Sequence, residues 1–243
     1  MARREREGRI VEDASNAKAI WKQGIDHEVT FWRAWLSGRG GEFAEDFARR
    51  MDPNLPVARH LNRVLHHVTA PEIRVLDVGA GPLTAVGKRY RRRPVRITAV
   101  DPLADLYDDL LREAGVQPPV RTTWCHGELL LERFRPASFH LAYSQNALDH
   151  SYDPVAVIEQ MVGLTRPGHY VVLEHRRNEG ENEEYHGLHQ WNFDIEHGHF
   201  VIWNAQRRTD MTKLLADRAT VHCRYIPRAK WLNIRMRVRV IPR

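Results

Sequence analysis

The chain has 243 residues, of which 42% are hydrophobic and 28% are charged, as is typical of a single large soluble domain or of a core domain with an added cap. Two cysteines cannot build a disulfide framework or a cysteine zinc site, and no apolar run approaches the roughly 20 residues of a membrane span, so we expect a cytoplasmic protein with no membrane partner. The net charge of +6 permits an anionic partner, but the sequence has no zinc finger, RNP-like string or basic repeat, which argues against nucleic acid.

The first part of the chain carries helical periodicity and no strand alternation. We predict helices over residues 17–37, 42–50 and 56–68. Because these helices come before the first strand, they cannot lie within the sheet. We therefore expect residues 1–70 to form a helical cap over the carboxyl edge of the domain that occupies residues 71–243.

From residue 73 onward, apolar strands and helices alternate, as a parallel doubly wound sheet requires. The predicted strands cover residues 73–78, 95–100, 120–125, 139–144 and 170–174. The predicted helices cover residues 84–92 and 103–114, and a third begins at Asp153-Pro154, where an N-cap residue precedes proline. This order indicates an α/β fold.

The segment after the fifth strand, residues 176–205, is an insertion. Its second half alternates around Glu196-His197-Gly198, which predicts a β-hairpin. The rest of the chain is expected to form a helix over residues 207–217 and two closing strands, 219–226 and 231–240.

The first predicted strand ends in a Gly-x-Gly turn, and the segment from Val75 to Thr84 reads VLDVGAGPLT. Glycines let a ligand approach the backbone where any Cβ would block it. Asp101 ends the second strand, where its carboxylate can accept hydrogen bonds from both hydroxyls of a ribose. These features predict a nucleoside-binding half-site. A dinucleotide site needs a third glycine where this chain has Thr84, so no pyrophosphate cradle is evident.

The VLDVGAGPLT string resembles the first motif of class I S-adenosylmethionine-dependent methyltransferases, and agreement with that family extends over about residues 73–175. The resemblance implies S-adenosylmethionine as the cofactor. It also implies a Rossmann-like, doubly wound, mostly parallel seven-stranded sheet with an antiparallel C-terminal strand. With its N-terminal helical cap and its insertion, the chain looks similar to bacterial small-molecule O-methyltransferases that act on glycans or natural products.

The same resemblance implies a set of cofactor contacts at the strand ends. Asp77 matches the residue that helps to hold the methionine end, and Asp101 matches the one that holds the ribose. Pro102 and Leu103 are expected beside the adenine. The other candidates are Gly79, Ala80 and Gly81 of the first loop, Gly127 and Glu128 near the adenine amine, and Gln145 and Asn146 beside the methionine moiety.

Methyl transfer to an alcohol requires alignment of the acceptor and removal of its proton, which suits a histidine with a pKa near 6.5. His150 follows the fourth strand and His189 follows the fifth, so we predict that one of them is the general base. The side chains expected to bind the acceptor substrate are Glu174, His175, His186 and Trp191. A divalent metal held by Glu174, His175, His186 and His189, near the end of the fifth strand, stays open as an alternative, but no recognised metal-binding motif is present, and we assign no metal ligands.

The sequence therefore predicts S-adenosylmethionine-dependent methyl transfer to an oxygen of a polar small molecule, such as a sugar or a natural product. Three alternatives stay open: an N- or C-methyltransferase of a small metabolite, a nucleic-acid methyltransferase, and a non-catalytic S-adenosylmethionine-binding protein. No Asn-Pro-Pro-Tyr string follows the fourth strand, which argues against methylation of a base amine.

Overall fold

The computed structural model describes the backbone of residues 2–240 and the side chains of residues 17–240. Its helices are α1 (Ala2–Ser37), α2 (Ala44–Met51), α3 (Asn62–Leu65), α4 (Ala104–Glu113), α5 (Leu130–Arg133), α6 (Pro154–Leu164), α7 (Glu179–Asn182) and α8 (Met211–Leu214). Its strands are β1 (Ile73–Val78), β2 (Arg89–Tyr90), β3 (Arg93–Asp101), β4 (Thr123–Trp124), β5 (Phe139–Gln145), β6 (Thr165–Arg176), β7 (Asn192–Glu196), β8 (His199–Trp203), β9 (Arg208–Asp210), β10 (Ala219–Ile226) and β11 (Trp231–Val238). None of these described helices has the length and apolar character needed to cross a bilayer.

The central sheet has the strand order β10-β11-β6-β5-β1-β3, and both β2 and β4 pair with β3. Neighbouring strands from β6 to β4 run parallel, whereas β11 is antiparallel to β6 and to β10. This arrangement confirms the predicted Rossmann-like sheet with an antiparallel C-terminal strand; the short hairpin strand β2 is an addition to the seven. The strand order reverses at β1, where open α/β sheets bind ligands at the carboxyl ends of the strands.

Side chains of β1 alternate between two apolar cores because successive residues of a strand point to opposite faces. Ile73 and Val75 pack with Leu61 and Val64, from the segment around α3, on one face. The next core, on the other face, contains Leu76 and Val78 of β1 together with much of α6. Helix α6 begins as predicted, since the Asp153 carboxylate accepts a hydrogen bond from the Ala156 amide.

The predicted helix over residues 84–92 is wrong, and the reason lies in tertiary contacts. The Lys88 amide donates to the Leu55 carbonyl at 2.7 Å, and the Val57 amide donates to the Arg89 carbonyl at 2.8 Å. At Gly87, an added Cβ would lie 2.4 Å from the backbone of Pro56. The segment is therefore extended against residues 55–57 and continues into the β2–β3 hairpin, which replaces a helix.

Elsewhere the predicted helix boundaries are only partly right. The helix expected over residues 17–37 is the C-terminal part of α1, and the helix expected over 42–50 matches α2. The helix expected over 56–68 is reduced to a 3-10 turn, Arg59–Leu61, followed by the single turn of α3.

The insertion contains the predicted hairpin, formed by β7 and β8 around His197 and Gly198. Within the segment predicted as a helix over 207–217, β9 extends this hairpin to a three-stranded sheet and α8 forms one turn. Phe193 and Phe200 of the small sheet are buried in the same core as Leu232 and Ile234 of β11. The insertion thus covers one face of the C-terminal half of the central sheet.

Candidate functional site

A cavity of about 550 Å³ opens at the carboxyl ends of β1, β3 and β5. Its volume falls in the usual range for sites that bind small molecules and cofactors. Helix α1 and the insertion close it from above, and the strand ends form its floor. The wall therefore combines residues from distant parts of the chain.

The loop after β1 supplies a bare backbone surface. Gly79 and Gly81 have positive φ angles of 70° and 62°, which glycine adopts without strain. An added Cβ would lie 2.4 Å from Ala147 Cβ at the first position and 2.9 Å from the Trp32 ring at the second. Both glycines are thus required by conformation and by space. The loop is held against β3, because the Gly79 and Ala80 amides both donate to the Val100 carbonyl.

Asp101 lies at the tip of β3 with its carboxylate on the cavity wall. Its oxygens accept hydrogen bonds from the amides of Leu103 at 2.9 Å and Gly81 at 3.1 Å. Burial raises the pKa of Asp101 to about 7 despite these bonds. Each carboxylate oxygen retains a lone pair, so the group can accept further hydrogen bonds from a ligand.

Ten of the eleven predicted cofactor residues line the cavity, and Asp77 is the exception. Its buried carboxylate lies behind the loop and accepts a hydrogen bond of 2.5 Å from the Thr84 hydroxyl, which in turn accepts from the Val86 amide. Burial raises the pKa of Asp77 to about 6. The structure therefore gives Asp77 a role in fixing the loop rather than a place on the cavity wall. The ten predicted cofactor residues that do line the cavity are Gly79, Ala80, Gly81, Asp101, Pro102, Leu103, Gly127, Glu128, Gln145 and Asn146.

Glu128 and Asn146 have structural partners as well as a place on the wall. The Asp153 amide donates to Glu128 at 3.1 Å, and burial raises the pKa of Glu128 to about 7. Asn146, at a positive φ of 46°, accepts a hydrogen bond from the Arg176 amide through its side-chain oxygen. Both side chains thus join the loop ends of neighbouring elements beneath the cavity.

Three side chains converge at another part of the cavity, and we call them the Asp–His cluster: Asp149, His150 and His189. Asp149 Oδ2 lies 2.7 Å from His189 Nδ1, and His150 Nε2 lies 3.0 Å from the same nitrogen. Asp149 is fully buried, whereas the two histidines are part-exposed and line the cavity. The two predicted base candidates, 39 residues apart in the chain, are therefore in direct contact.

Two further groups surround this cluster. His175 Nε2 lies 2.9 Å from Asp149 Oδ1, and Glu28 Oε2 of α1 lies 3.6 Å from His150 Nδ1. Burial alone would raise the pKa of Asp149, but the surrounding histidines outweigh it and hold that pKa well below its usual range. Burial opposes protonation of His189, yet the Asp149 carboxylate outweighs burial and raises the pKa of His189. The cluster thus combines a buried carboxylate with imidazoles that lie within hydrogen-bond distance of it or of one another.

The four predicted substrate residues lie in four different environments. Glu174 is on the opposite face of the sheet, where it accepts a hydrogen bond from the Tyr143 hydroxyl and pairs with His60. His175 lies behind Asp149, and His186 is exposed beside His27. Trp191 is buried in the core and donates through Nε1 to the Ser151 carbonyl. Of these four side chains, His175 contacts a side chain of the Asp–His cluster, from its buried side, whereas His186 contacts His189 only through its backbone carbonyl.

Helix α1 contributes five cavity residues that the sequence analysis did not assign to a site: Trp21, His27, Glu28, Phe31 and Trp32. Trp32 Nε1 donates to Glu28 at 2.6 Å, and its ring covers Gly81. The apolar spacing of α1 predicts that one face is buried, but it gives no signal for the partner of that face. Helix α1 also approaches the insertion closely, because an added Cβ at Gly24 would lie 2.6 Å from the backbone of Gly187.

Residues 76–173 match the family described as a methyltransferase domain. Phosphoethanolamine N-methyltransferase 2 from Haemonchus contortus, solved with S-adenosyl-L-methionine, superposes with a TM-score of 0.52 at 14% identity, over 86% of this chain and 56% of that one. A 1,6-didemethyltoxoflavin-N1-methyltransferase from Burkholderia thailandensis superposes with a TM-score of 0.43 at 19% identity, over 88% of this chain and 90% of that one. The citrinin polyketide synthase CMeT domain superposes with a TM-score of 0.49 at 15% identity. The match covers 70% of this chain and 47% of that one, so this chain spans about half of its length. No curated protein matches the sequence.

Proposed function

We propose that this chain, whose residues 76–173 match a methyltransferase domain, transfers the methyl group of S-adenosylmethionine to an oxygen of a polar small molecule such as a sugar or a natural product. The single observation that supports an oxygen acceptor is the Asp–His cluster on the wall of the cofactor cavity. An alcohol reacts faster when a general base removes its proton, and a histidine pair that is held by a carboxylate can act as that base.

The two ends of the cavity match the two reactants. The glycine loop and Asp101 form an end that suits a nucleoside, because bare backbone and a hydroxyl-accepting carboxylate lie together. The sulfonium already activates the methyl group, so the protein has to align the acceptor oxygen with the methyl carbon and exclude competing water. Helix α1 and the insertion, which close the cavity, serve that purpose.

The acceptor oxygen would lie near His150 and His189. As the hydroxyl loses its proton to the cluster, its oxygen forms the new bond to the methyl carbon while the carbon–sulfur bond breaks and S-adenosylhomocysteine is released. Asp149 would orient His189 and stabilise the positive charge that the cluster gains. This arrangement follows the general pattern of a base held by a buried carboxylate.

A direct test is to incubate the protein with isotope-labelled S-adenosylmethionine and matched pairs of acceptors that differ only in carrying a hydroxyl or an amine. Methyl transfer to the hydroxyl member, with an O-methyl linkage shown by NMR, is the expected result. Exclusive transfer to nitrogen or carbon would establish the N- or C-methyltransferase alternative instead. Cofactor binding without transfer to any member of a broad panel of sugars and phenolic compounds would favour a non-catalytic binding protein.

Nucleic acid is the other acceptor class to test. Several basic residues lie outside the cavity, so RNA and DNA duplexes and single strands belong in the same assay. A binding constant that falls steeply with rising salt, together with transfer of label to the nucleic acid, would overturn the small-molecule proposal.

A further inference from the structure

We propose that the Asp–His cluster is a binding site for a first-row divalent transition-metal ion, with Asp149, His150 and His189 as its protein ligands. This inference rests on the proposed function, since it concerns the acceptor end of the same cavity. Carboxylate oxygen and imidazole nitrogen together are a ligand set that suits Zn²⁺, Mn²⁺, Fe²⁺ or Co²⁺.

The spacing of the three donor atoms fits one shared ion. Their separations are 2.7 Å from Asp149 Oδ2 to His189 Nδ1, 3.0 Å from His189 Nδ1 to His150 Nε2, and 3.6 Å from His150 Nε2 to Asp149 Oδ2. Ligands about 2.0–2.2 Å from an ion in octahedral or tetrahedral geometry lie roughly 2.8–3.6 Å from one another. The observed triangle needs only small adjustments to hold an ion.

Hydrogen bonding accounts poorly for the same triangle. His189 Nδ1 faces both the Asp149 oxygen and the His150 nitrogen, and it can present either one hydrogen or one lone pair. A hydrogen would have to be shared between the two neighbours, and a lone pair would face the carboxylate at 2.7 Å. A cation at the centre of the triangle gives all three lone pairs a common partner and removes this conflict.

The groups around the triangle resemble the outer shell of a metal centre. His175 Nε2 lies 2.9 Å from Asp149 Oδ1, the oxygen that faces away from the triangle. The Glu28 carboxylate faces Nδ1 of His150, the nitrogen that would not be a ligand. Partners of this kind orient ligands and are a regular feature of metal sites. The Gln190 amide also donates to the Asp149 carbonyl, which joins the two ligand-bearing segments.

Three protein ligands leave coordination positions for the reaction. Because His150 and His189 line the cavity, those positions would face the acceptor end. A hydroxyl oxygen that coordinates there would lose its proton to solvent more readily, since a bound cation lowers the pKa of an attached oxygen. The oxygen would then form its bond to the methyl carbon as the carbon–sulfur bond breaks. A bound ion would therefore take over the activation of the acceptor hydroxyl that the proposed function assigns to the metal-free histidines.

The test uses the full chain, freed of metal with a chelator and dialysed. Zn²⁺, Mn²⁺ and Co²⁺ are each titrated by calorimetry, and Co²⁺ binding is also followed by its visible absorption. We expect one equivalent to bind to the parent protein. His150→Ala and His189→Ala should each weaken binding by at least about 100-fold, and His175→Ala by about 10- to 100-fold, the range for outer-shell partners.

His197→Ala is the matched control, because this histidine is exposed at the hairpin tip. It should bind the ion as the parent does. Thermal unfolding confirms that each variant is folded, and His150 and His189 are chosen because both are part-exposed, unlike Asp149. Absence of binding in the folded parent, or equal binding in the double variant His150→Ala/His189→Ala, would overturn the proposed site.

The outcomes separate this inference from the proposed function. If the protein methylates hydroxyls at full rate after metal removal and binds no ion, the proposed function is supported and the proposed metal site is overturned. A protein that binds one ion at the cluster but transfers no methyl group to oxygen keeps the metal site and loses the function. Activity lost with the chelator and restored by an added ion would support both.

Discussion

The two ends of the cavity are built by different means. At the end that we assign to the cofactor, backbone atoms of Gly79–Gly81 and the Asp101 carboxylate at the tip of β3 form part of the surface, and Gly81 and Asp101 are only 20 residues apart in the chain. At the end that we assign to the acceptor, side chains from α1, from the loop after β5 and from the insertion converge. The first end depends on local chain geometry, and the second depends on how distant elements pack.

This difference predicts that the two ends respond differently to substitution. Changes at the acceptor end should affect turnover and leave cofactor affinity intact. Changes at the cofactor end should weaken cofactor binding and leave turnover at saturating cofactor intact. The experiments below test that separation, from the largest expected effect to the smallest.

The largest effect is expected for His150→Ala and His189→Ala assayed separately with the true acceptor. Turnover should fall by about 100- to 10,000-fold, because either a general base or a metal ligand is lost, while the cofactor Kd stays near that of the parent. Single-turnover kinetics and calorimetry measure the two quantities. If both variants turn over within a few-fold of the parent, the cluster takes no part in the reaction.

At the cofactor end, Asp101→Ala should weaken S-adenosylmethionine binding by about 1–3 kcal/mol, the range for polar groups left without a partner. The Gly81 and Leu103 amides also lose their acceptor in this variant, so the loop itself is less well held. Calorimetry gives the affinity, and the rise in thermal midpoint on cofactor addition gives an independent measure. An unchanged affinity would remove Asp101 from the cofactor site.

The contact between α1 and the insertion can be tested by Gly24→Ala. The new methyl would meet the Gly187 backbone at 2.6 Å, so we expect a loss of about 1–3 kcal/mol of unfolding free energy from overpacking. Gly163→Ala in α6 is the control, since its methyl would meet only the end of the Leu131 side chain. Equal unfolding free energies for the two variants would show that α1 and the insertion can move apart enough to fit the methyl group without loss of stability.

The smallest effect concerns pH. Burial raises the pKa of Asp101 to about 7, so between about pH 4 and 7 the native protein holds a proton that the unfolded chain has lost. The unliganded protein should therefore become more stable as the pH falls from about 8 to 6, by at most about 1.4 kcal/mol per pH unit from this group.

Asp101→Asn should reduce this dependence, because an amide does not titrate; Glu128, whose pKa burial also raises to about 7, would keep part of it. Urea unfolding at several pH values measures the slope. A variant with the full slope of the parent would show that Asp101 is already ionised in the native protein across this range.

The sequence predicted what depends on neighbouring residues. The strands, the glycine turn, the N-cap at Asp153 and the hairpin at His197 are local patterns, and the structure contains all of them. The helix over residues 84–92 is wrong because its backbone hydrogen bonds go to Leu55 and Val57, which no local pattern reveals. Tertiary pairing outweighed the helical interpretation there.

The acceptor end shows the same limit for side chains. The sequence predicted that His175 and His186, which end and follow the fifth strand, bind the acceptor. The side chains that converge are instead Asp149, His150 and His189, with Glu28 from α1 beside them. Trp191 was expected to bind the acceptor substrate, but it is buried in the core between the insertion and the central sheet. Which side chain reaches a cavity depends on the angle at which an insertion packs, and periodicity carries no information about that angle.

The extended segment after the glycine loop has a consequence for charge. In a phosphate-binding loop, the following helix directs its positive N-terminal end at the anion. In this chain that helix is replaced by the β2–β3 hairpin. The carboxyl groups of Asp101 and Glu128 line the cavity, and that of Asp77 is buried behind the glycine loop. We expect a pyrophosphate group to meet no helix dipole here and to oppose ionisation of these carboxyl groups, whereas the sulfonium of a nucleoside cofactor would favour their ionised form. We therefore expect the cavity to distinguish between adenine-containing cofactors by charge as well as by shape.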